Sequence, residues 1–299
     1  MFRGVYTALI TPFTPDGSLD VPALERLIER QVAAGVHGIV PCGTTGEAAT
    51  LTDEERAVVF RAAVTAAKGR CKVMAGVGTN DTRRAAEMAK QARMTGVDGL
   101  LVVTPYYNKP TQEGLYQHNR TISEAVPGLP LTLYNVPGRT SVSLAADTID
   151  RLADLPDIVA IKEATADLTF DGELITRLGD RMDVISGDDP TALALWAIGG
   201  QGVISVTSNL LPEKFVAMWA AFQANDLAGA RALHHELFPL FQGLFWETNP
   251  VPVKSLVAWH TGLCGDHVRL PLASLQPNTV ARLKGLCDRM GVALPHAPT

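Results

Sequence analysis

Short apolar runs recur at regular intervals along the first two thirds of this sequence. They occupy residues 5–10, 38–40, 73–75, 100–103, 131–134, 158–161, 184–185 and 203–204. Runs of this kind are typical of strands that are buried on both faces, as in a parallel sheet. Between them the apolar residues follow the helical i, i+3, i+4 spacing, as at Leu24, Leu27 and Ile28. Strands and helices that alternate at close to the roughly 30 residues of a βαβ unit predict an α/β fold, a (β/α)8 TIM barrel.

Local signals mark two helix starts, and a change of pattern marks the end of the barrel. Asp20 is placed as an N-cap, and Thr52 with Glu55 forms a capping box. The alternation stops near residue 225, and the rest has the composition of additional C-terminal helices. These helices are predicted at 227–244, 253–261 and 276–290. We therefore expect a barrel over 1–225 and a helical extension over 226–299 that packs beside it.

Composition narrows the class of protein. The 299 residues are 46% hydrophobic and carry a net charge of −5 without a basic block, which argues against a nucleic-acid partner. No apolar run approaches the roughly 18 residues of a membrane span, and no signal-peptide pattern opens the chain. The four cysteines have no CxxC spacing and the seven histidines form no HExxH pair, so neither a metal site nor a disulfide framework is expected. We expect a cytoplasmic protein without metal or cofactor.

Lys162 directly follows the sixth apolar run, where a barrel strand reaches the face that carries active sites. A lysine held in an apolar wall loses hydration, which favours the neutral amine that imine formation requires. A lysine that extends from a strand end to solvent is the alternative, and this stretch alone favours it. Other reactive side chains follow neighbouring strands, however, and the barrel brings them to the same mouth. They are Thr44, Thr45, Tyr106, Tyr107, Tyr134 and Arg139.

Each of these residues also has a plain structural interpretation. Residues 43–46 (GTTG) offer backbone N–H groups and two hydroxyls that suit a carboxylate, although an ordinary βα turn is equally consistent. Tyr134 is either a packed core residue or a proton carrier beside the lysine. Arg139, in a Pro-Gly loop, is either a solvated cation or a bidentate clamp for a carboxylate.

Three further polar stretches receive structural interpretations. Asp188 and Asp189 look like metal ligands, but no third ligand clusters with them, so Asp189 or a neighbour is expected to cap a helix that begins at Pro190. Cys42 is expected to be packed, since no histidine follows a nearby strand. Residues 246–250 are interpreted as a structural turn.

Seven motifs together resemble the dihydrodipicolinate synthase family, also called the 4-hydroxy-tetrahydrodipicolinate synthases. This family lies among the pyruvate-dependent class I aldolases, with N-acetylneuraminate lyase. The matching segments are 43–47 (GTTGE), 104–108 (TPYYN), 134–140 (YNVPGRT), 161–165 (IKEAT), 186–189 (SGDD), 202–206 (GVISV) and 249–254 (NPVPVK). They cover essentially the whole chain, and their common order makes the resemblance specific.

The resemblance implies a reaction and its central residues. Lys162 would form an imine with pyruvate, and the derived enamine would attack aspartate semialdehyde to give 4-hydroxy-tetrahydrodipicolinate. Tyr134 would be the centre of a proton relay with Thr45 and Tyr107, the latter reaching in from a neighbouring subunit of a homotetramer. No cofactor is implied, because the iminium itself is the electron sink.

The resemblance also implies how the substrates are held. Thr44 and Thr45 would bind the pyruvate carboxylate, and Arg139 would bind the carboxylate of the semialdehyde. Ile204 would give a backbone contact near the lysine, and Gly187 would line the same pocket.

Six positions correspond to the pocket in which relatives bind lysine as a feedback inhibitor. Ala49, Asn80 and Tyr106 match the pattern of inhibited enzymes. The remaining three positions, where those enzymes have two histidines and a glutamate, are Asp53, Arg56 and Arg84. A cation in place of an anion repels the ammonium groups of lysine, so we predict weak or absent lysine inhibition.

Two alternatives stay open from the sequence. The chain could be another pyruvate-dependent aldolase or a 2-oxo-acid dehydratase of the same superfamily, although Arg139 and the Tyr106-Tyr107 pair argue for the synthase. A non-catalytic pyruvate-binding protein is the second alternative, and the intact set of Lys162, Tyr134 and Arg139 argues against it.

Overall fold

The computed structural model describes residues 2–298 and places eight parallel strands in a closed barrel, each paired with the next and β8 with β1. The strands are β1 (Gly4–Ala8), β2 (Gly38–Val40), β3 (Lys72–Gly76), β4 (Gly99–Val103), β5 (Leu131–Asn135), β6 (Ile158–Glu163), β7 (Asp183–Ser186) and β8 (Gly202–Ser205). Each predicted apolar run overlaps one of them. The predicted (β/α)8 barrel is therefore confirmed.

Helices separate the strands and continue after β8. Within and directly after the barrel they are α1 (Val21–Ala33), α2 (Asp53–Ala67), α3 (Thr82–Met94), α4 (Gln112–Ala125), α5 (Pro137–Thr140), α6 (Ala146–Ala153), α7 (Leu168–Leu178), α8 (Ala192–Ala197) and α9 (Pro212–Gln223). The C-terminal helices are α10 (Leu227–Gly243), α11 (Val251–Thr261) and α12 (Pro277–Arg289), close to their predicted bounds. Helix α10 packs on α9 and on α12.

The predicted helix caps are present. The Asp20 carboxylate accepts a hydrogen bond from the Ala23 N–H at the start of α1. At α2, the Thr52 hydroxyl accepts from the Glu55 N–H while the Glu55 carboxylate accepts from the Thr52 N–H. These caps satisfy N–H groups that the helix itself leaves without partners.

Three boundaries differ from the predictions. Strand β6 runs past the apolar stretch through Lys162 and Glu163, because both keep pairing with β5 and β7. Arg139 lies in the one-turn helix α5 and not in an open loop, since backbone bonds to Val136 and Pro137 close the turn. Helix α8 begins at Ala192, two residues after Pro190.

The apolar residues form two layers. The barrel interior holds a small cluster that includes Tyr6, Met74, Leu101 and Ile185. A larger cluster fills the space between the strands and the surrounding helices. All four cysteines are free thiols, and Cys42 is buried, as expected. Among the described residues, no helix has the length and apolarity that crossing a membrane would require.

Candidate active site

Lys162 and Tyr134 face each other inside the mouth of the barrel. They are register partners on adjacent strands, and only 5% and 6% of their surfaces are exposed. The Nζ atom of Lys162 lies 4.2 Å from the centroid of the Tyr134 ring. The lysine therefore points into the barrel and not out to solvent, which rejects the interpretation of a surface lysine at a strand end.

Gly187 leaves room for the lysine. A Cβ atom at this position would lie 3.0 Å from Cε of Lys162 and 2.7 Å from Cβ of Ala164. Contacts this short are repulsive, so any side chain at residue 187 would displace the lysine. Ile204 is likewise buried in the barrel interior, in register with Tyr6.

A cavity of about 330 Å³ opens at the same mouth. Thr44, Tyr134 and Arg139 line it, together with Tyr106 and Asn249. Neither Lys162 nor Thr45 is among its lining residues. The lysine is instead next to the cavity through its contact with the Tyr134 ring.

The two threonines of the strand-2 turn occupy different environments. Thr44 is half-buried on the cavity wall, whereas Thr45 is buried and its Oγ1 accepts a 2.9 Å hydrogen bond from Nδ2 of Asn249. Backbone bonds within the turn use the N–H groups of Gly46, Glu47 and Ala48. A carboxylate bound at this turn would therefore rely on the N–H groups and hydroxyls of Thr44 and Thr45.

Asn249 connects two predicted site residues. Its side chain donates to Thr45, and its carbonyl oxygen accepts a 3.3 Å hydrogen bond from Nη2 of Arg139. The exposed guanidinium of Arg139 keeps further donors for a ligand carboxylate at the cavity. Residues 246–250 form bends and turns, as interpreted from the sequence, and Asn249 within this turn reaches the site from the C-terminal extension.

A buried ion pair holds the strand-2 loop to helix α11. Nζ of Lys254 lies 2.6 Å from Oε1 of Glu47, and both side chains are almost fully excluded from solvent. The Glu47 Oε2 atom also accepts from the Arg269 N–H at 3.0 Å. Burial lowers the pKa of the Lys254 ammonium, and the adjacent Glu47 carboxylate opposes that change. The C-terminal extension is thus bonded directly to the loop that carries the two threonines.

Tyr107 lies on the surface of the chain. It is 89% exposed and has a φ of 75°, an unusual backbone conformation for an aromatic residue. It is not among the residues that line the cavity. Its neighbour Tyr106 points inward enough to line the cavity, and its hydroxyl lies 3.3 Å from that of Thr79. A relay role for Tyr107 therefore requires a contact beyond this single chain.

The six candidate regulatory residues lie in different environments, and three of them line the cavity. Arg84 forms a 3.0 Å ion pair with Asp53. Arg56 is buried, and it donates hydrogen bonds to the carbonyls of Ala48 and Gly76. Its guanidinium is therefore committed to the fold. Ala49, Arg56 and Tyr106 line the cavity. The Asn80 carbonyl accepts from the side chain of Asn108.

The aspartates after β7 hold loops in place. The Asp188 carboxylate accepts from the Thr191 N–H just before α8. The N-cap residue of α8 is Thr191, and no side-chain cap hydrogen bond is present there, so the predicted aspartate cap of a helix that begins at Pro190 is wrong. Asp189 accepts instead from the N–H groups of Val206 and Thr207 after β8. Burial raises the pKa of the Asp189 carboxyl, and the bonds from Thr207 oppose the rise. Over residues 2–298 no group of three or more His, Cys, Asp or Glu side chains could hold a metal ion.

Several buried polar residues beside the site were not identified from the sequence as part of it. They are Glu47, Asn135, Glu163, Asn249 and Lys254. All five lie within the seven motifs, so membership of a motif was the available signal. Their partners lie on distant parts of the chain, so spacing along the sequence could not reveal the contacts.

Comparisons with known proteins agree on one family. The family model described as the dihydrodipicolinate synthetase family matches residues 1–288. The 4-hydroxy-tetrahydrodipicolinate synthase of Oleidesulfovibrio alaskensis is 47% identical over 292 residues, which cover 97% of this chain and 99% of the relative. That of Thermodesulfovibrio yellowstonii is 48% identical and covers 98% of this chain and 99% of its own.

Solved structures give the same result. The dihydrodipicolinate synthase of Aquifex aeolicus superposes with a TM-score of 0.95 at 43% identity, covering 98% of this chain and 99% of its own. The chloride-inhibited enzyme of Acinetobacter baumannii, solved in complex with pyruvate, gives 0.94 at 44% identity, covering 98% and 100%. The resemblance inferred from the seven motifs is confirmed: this chain belongs to the dihydrodipicolinate synthetase family.

Proposed function

We propose that Lys162 carries out the reaction of this family, the condensation of pyruvate with L-aspartate 4-semialdehyde to 4-hydroxy-tetrahydrodipicolinate. The chain is a lyase of lysine and diaminopimelate biosynthesis, and the relatives that match nearly its whole length are 4-hydroxy-tetrahydrodipicolinate synthases. The observation that carries the proposal is the buried Lys162 amine, 4.2 Å from the Tyr134 ring at the edge of the cavity.

The proposed chemistry follows from an amine in this position. The neutral Lys162 amine adds to the C2 carbonyl of pyruvate. The hydroxyl group formed there takes up a proton and leaves as water, which gives a protonated imine. This cation withdraws electrons, so the adjacent methyl group becomes acidic and loses a proton to give an enamine. The enamine carbon attacks the aldehyde of the second substrate. The amino group of that substrate then attacks the imine carbon, closes the ring and releases Lys162 as the free amine.

Tyr134 is the proposed proton carrier, because its ring lies directly against the amine and borders the cavity. The family resemblance implied that the neighbouring hydroxyl of the relay belongs to Thr45. The cavity wall favours Thr44 instead, since Thr44 lines the cavity together with Tyr134, whereas Thr45 is buried outside that lining and accepts a hydrogen bond from Asn249. We therefore propose that Thr44 completes the relay and that Thr45 holds the turn in shape. The two threonines together bind the pyruvate carboxylate, and Arg139 binds that of the semialdehyde.

A second subunit is proposed to supply Tyr107. The 89% exposed phenol and its unusual backbone conformation support a contact with another copy of this chain. A homotetramer built from two tight dimers is the proposed assembly. One structural relative is a monomeric dihydrodipicolinate synthase variant, so membership of the family does not by itself fix the assembly. Sedimentation velocity on wild type, with activity measured across the same concentrations, tests whether assembly and turnover are linked.

Turnover with both substrates tests the proposal. Wild type should consume pyruvate and aspartate semialdehyde in a coupled assay, and Lys162→Ala should lose this activity. Borohydride added with pyruvate should leave a reduced adduct that peptide mapping assigns to Lys162. Cleavage of sugar acids to pyruvate would indicate another aldolase, and an adduct without turnover would indicate a binding protein. Activity that persists after dialysis against a chelator supports a metal-free mechanism; the cytoplasmic location stays a prediction.

A further inference from the structure

The outer faces of β5 and β6 carry a polar pair directly behind the reacting residues. Tyr134 is in register with Lys162, and the next residues, Asn135 and Glu163, are in register with each other. Successive strand residues point to opposite faces of the sheet. Because Tyr134 and Lys162 meet inside the barrel, Asn135 and Glu163 point outward, into the layer between strands and helices. Both are buried there, with 0% and 3% of their surfaces exposed.

Hydrogen bonds fix the orientation of both side chains. Nδ2 of Asn135 donates to Oε2 of Glu163 at 2.7 Å, and Oε1 of Glu163 accepts from the Thr165 N–H. On the other side, Oδ1 of Asn135 accepts from the Leu144 N–H at 3.0 Å. Glu163 is thus an acceptor on both oxygens, and Asn135 is a donor toward Glu163 and an acceptor toward Leu144. Burial raises the pKa of the Glu163 carboxyl, while the bonds from Asn135 and Thr165 oppose that rise.

We propose that Asn135 and Glu163 are positioning residues, whose mutual hydrogen bond sets the distance and angle between Tyr134 and Lys162. The inference rests on the proposed roles of those two residues. A hydrogen bond to a buried charge is short, strong and costly to leave unmade, so it resists sliding between the two strands. Proton transfer from an imine-linked methyl group depends on such alignment, and a displacement of about 1 Å can lower a rate about 100-fold.

The direction of the bond suggests a pair of single substitutions and their combination. In Glu163→Gln, the amide oxygen serves the Thr165 N–H and the NH2 group then faces the NH2 group of Asn135. In Asn135→Asp, two carboxylates face each other in a buried site, which is repulsive. The double variant restores the bonds between the two side chains, to Thr165 and to Leu144, and the Ser143 hydroxyl, which contacts Asn135, can donate to the introduced carboxylate. The carboxylate introduced at position 135 would accept from the Leu144 N–H and from the new amide at position 163, whose oxygen still accepts from Thr165.

Steady-state turnover and exchange of the pyruvate methyl protons with D2O, followed by NMR, measure the effect. We expect each single variant to lower kcat and the exchange rate at least about tenfold, with a KM for pyruvate within about threefold of wild type. We expect the double variant to recover most of both rates. Trapping with borohydride should still give an adduct in all three, because the lysine is unchanged.

A matched control comes from a similar buried network behind β1. Gln31 accepts from the Thr7 hydroxyl and donates to the Ser208 carbonyl, away from β5 and β6. Gln31→Ala should lower the melting temperature without changing methyl exchange. The proposal is overturned if the single variants behave like this control, or if the double variant recovers the melting temperature but not kcat. Full turnover in Lys162→Ala would instead overturn the proposed function itself.

Discussion

Asp171 gives the sharpest test of the electrostatics, through the substitution Asp171→Asn. This residue lies in the first turn of α7 and is only 3% exposed. Within residues 2–298 its Oδ1 atom has no hydrogen-bond partner. Burial, assisted by the negative charges of Glu163, Asp167 and Asp188, raises the pKa of the Asp171 carboxyl to about 7 from 3.8. The folded protein therefore holds this proton far more tightly than the unfolded chain does.

The sign of the effect on stability follows from that difference. The contribution of Asp171 to the free energy of unfolding is most favourable below about pH 4. It declines as the pH rises to about 7 and stays constant above that pH. At 1.36 kcal/mol per pH unit, the gap between the folded and unfolded pKa corresponds to about 4 kcal/mol as an upper value. Partial hydration of the carboxylate reduces this, so we expect about 2–4 kcal/mol. Asparagine has a similar shape and cannot ionise, so Asp171→Asn should remove this pH dependence.

Urea unfolding between about pH 5 and pH 8 measures the difference. At pH 5 wild type has already lost part of the stability that protonated Asp171 provides. The free energy of unfolding of Asp171→Asn, relative to that of wild type, should therefore increase by about 2 kcal/mol between about pH 5 and pH 8. Asp226→Asn is the matched control, because Asp226 is not among the charges that raise the pKa of Asp171. Asp226 caps α10 by accepting from the Gly229 N–H, and asparagine caps a helix about as well, so the stability of this variant relative to wild type should not change with pH in the way expected for Asp171→Asn. Parallel stability curves for wild type and Asp171→Asn would refute the reasoning.

Three further outcomes are expected. Glu47→Gln or Lys254→Met alone should each destabilise the protein by about 3–5 kcal/mol in denaturant unfolding, because one buried charge is left unpaired, and the double variant should lose less than the two effects combined. Thr44→Val should lower kcat more than Thr45→Val, whereas Thr45→Val should lower the melting temperature more; the reverse order would restore the relay to Thr45. Lysine should inhibit wild type weakly or not at all, and Arg84→Glu should increase inhibition; half-inhibition of wild type at sub-millimolar lysine would contradict the charge argument.

The contribution of the sequence was greatest where structure is local. Apolar runs and helical spacing report which face of a nearby element is buried, so they predicted the barrel, and the caps at Asp20 and Thr52 lie where expected. Local reasoning failed at the end of β6. There the ladder with both neighbouring strands carries Lys162 and Glu163 into the sheet despite their polarity.

The sequence alone pointed to Lys162, by its place after an apolar run and by the motif around it, whereas packing decided which polar groups surround it. The bond between Asn249 and Thr45 joins residues 204 positions apart, and the ion pair of Lys254 with Glu47 spans 207 positions. Periodicity describes one element at a time and contains no information on which distant faces will meet. Which charged side chains become buried depends on which distant faces pack together. Only the closed barrel with its C-terminal helices therefore determines them.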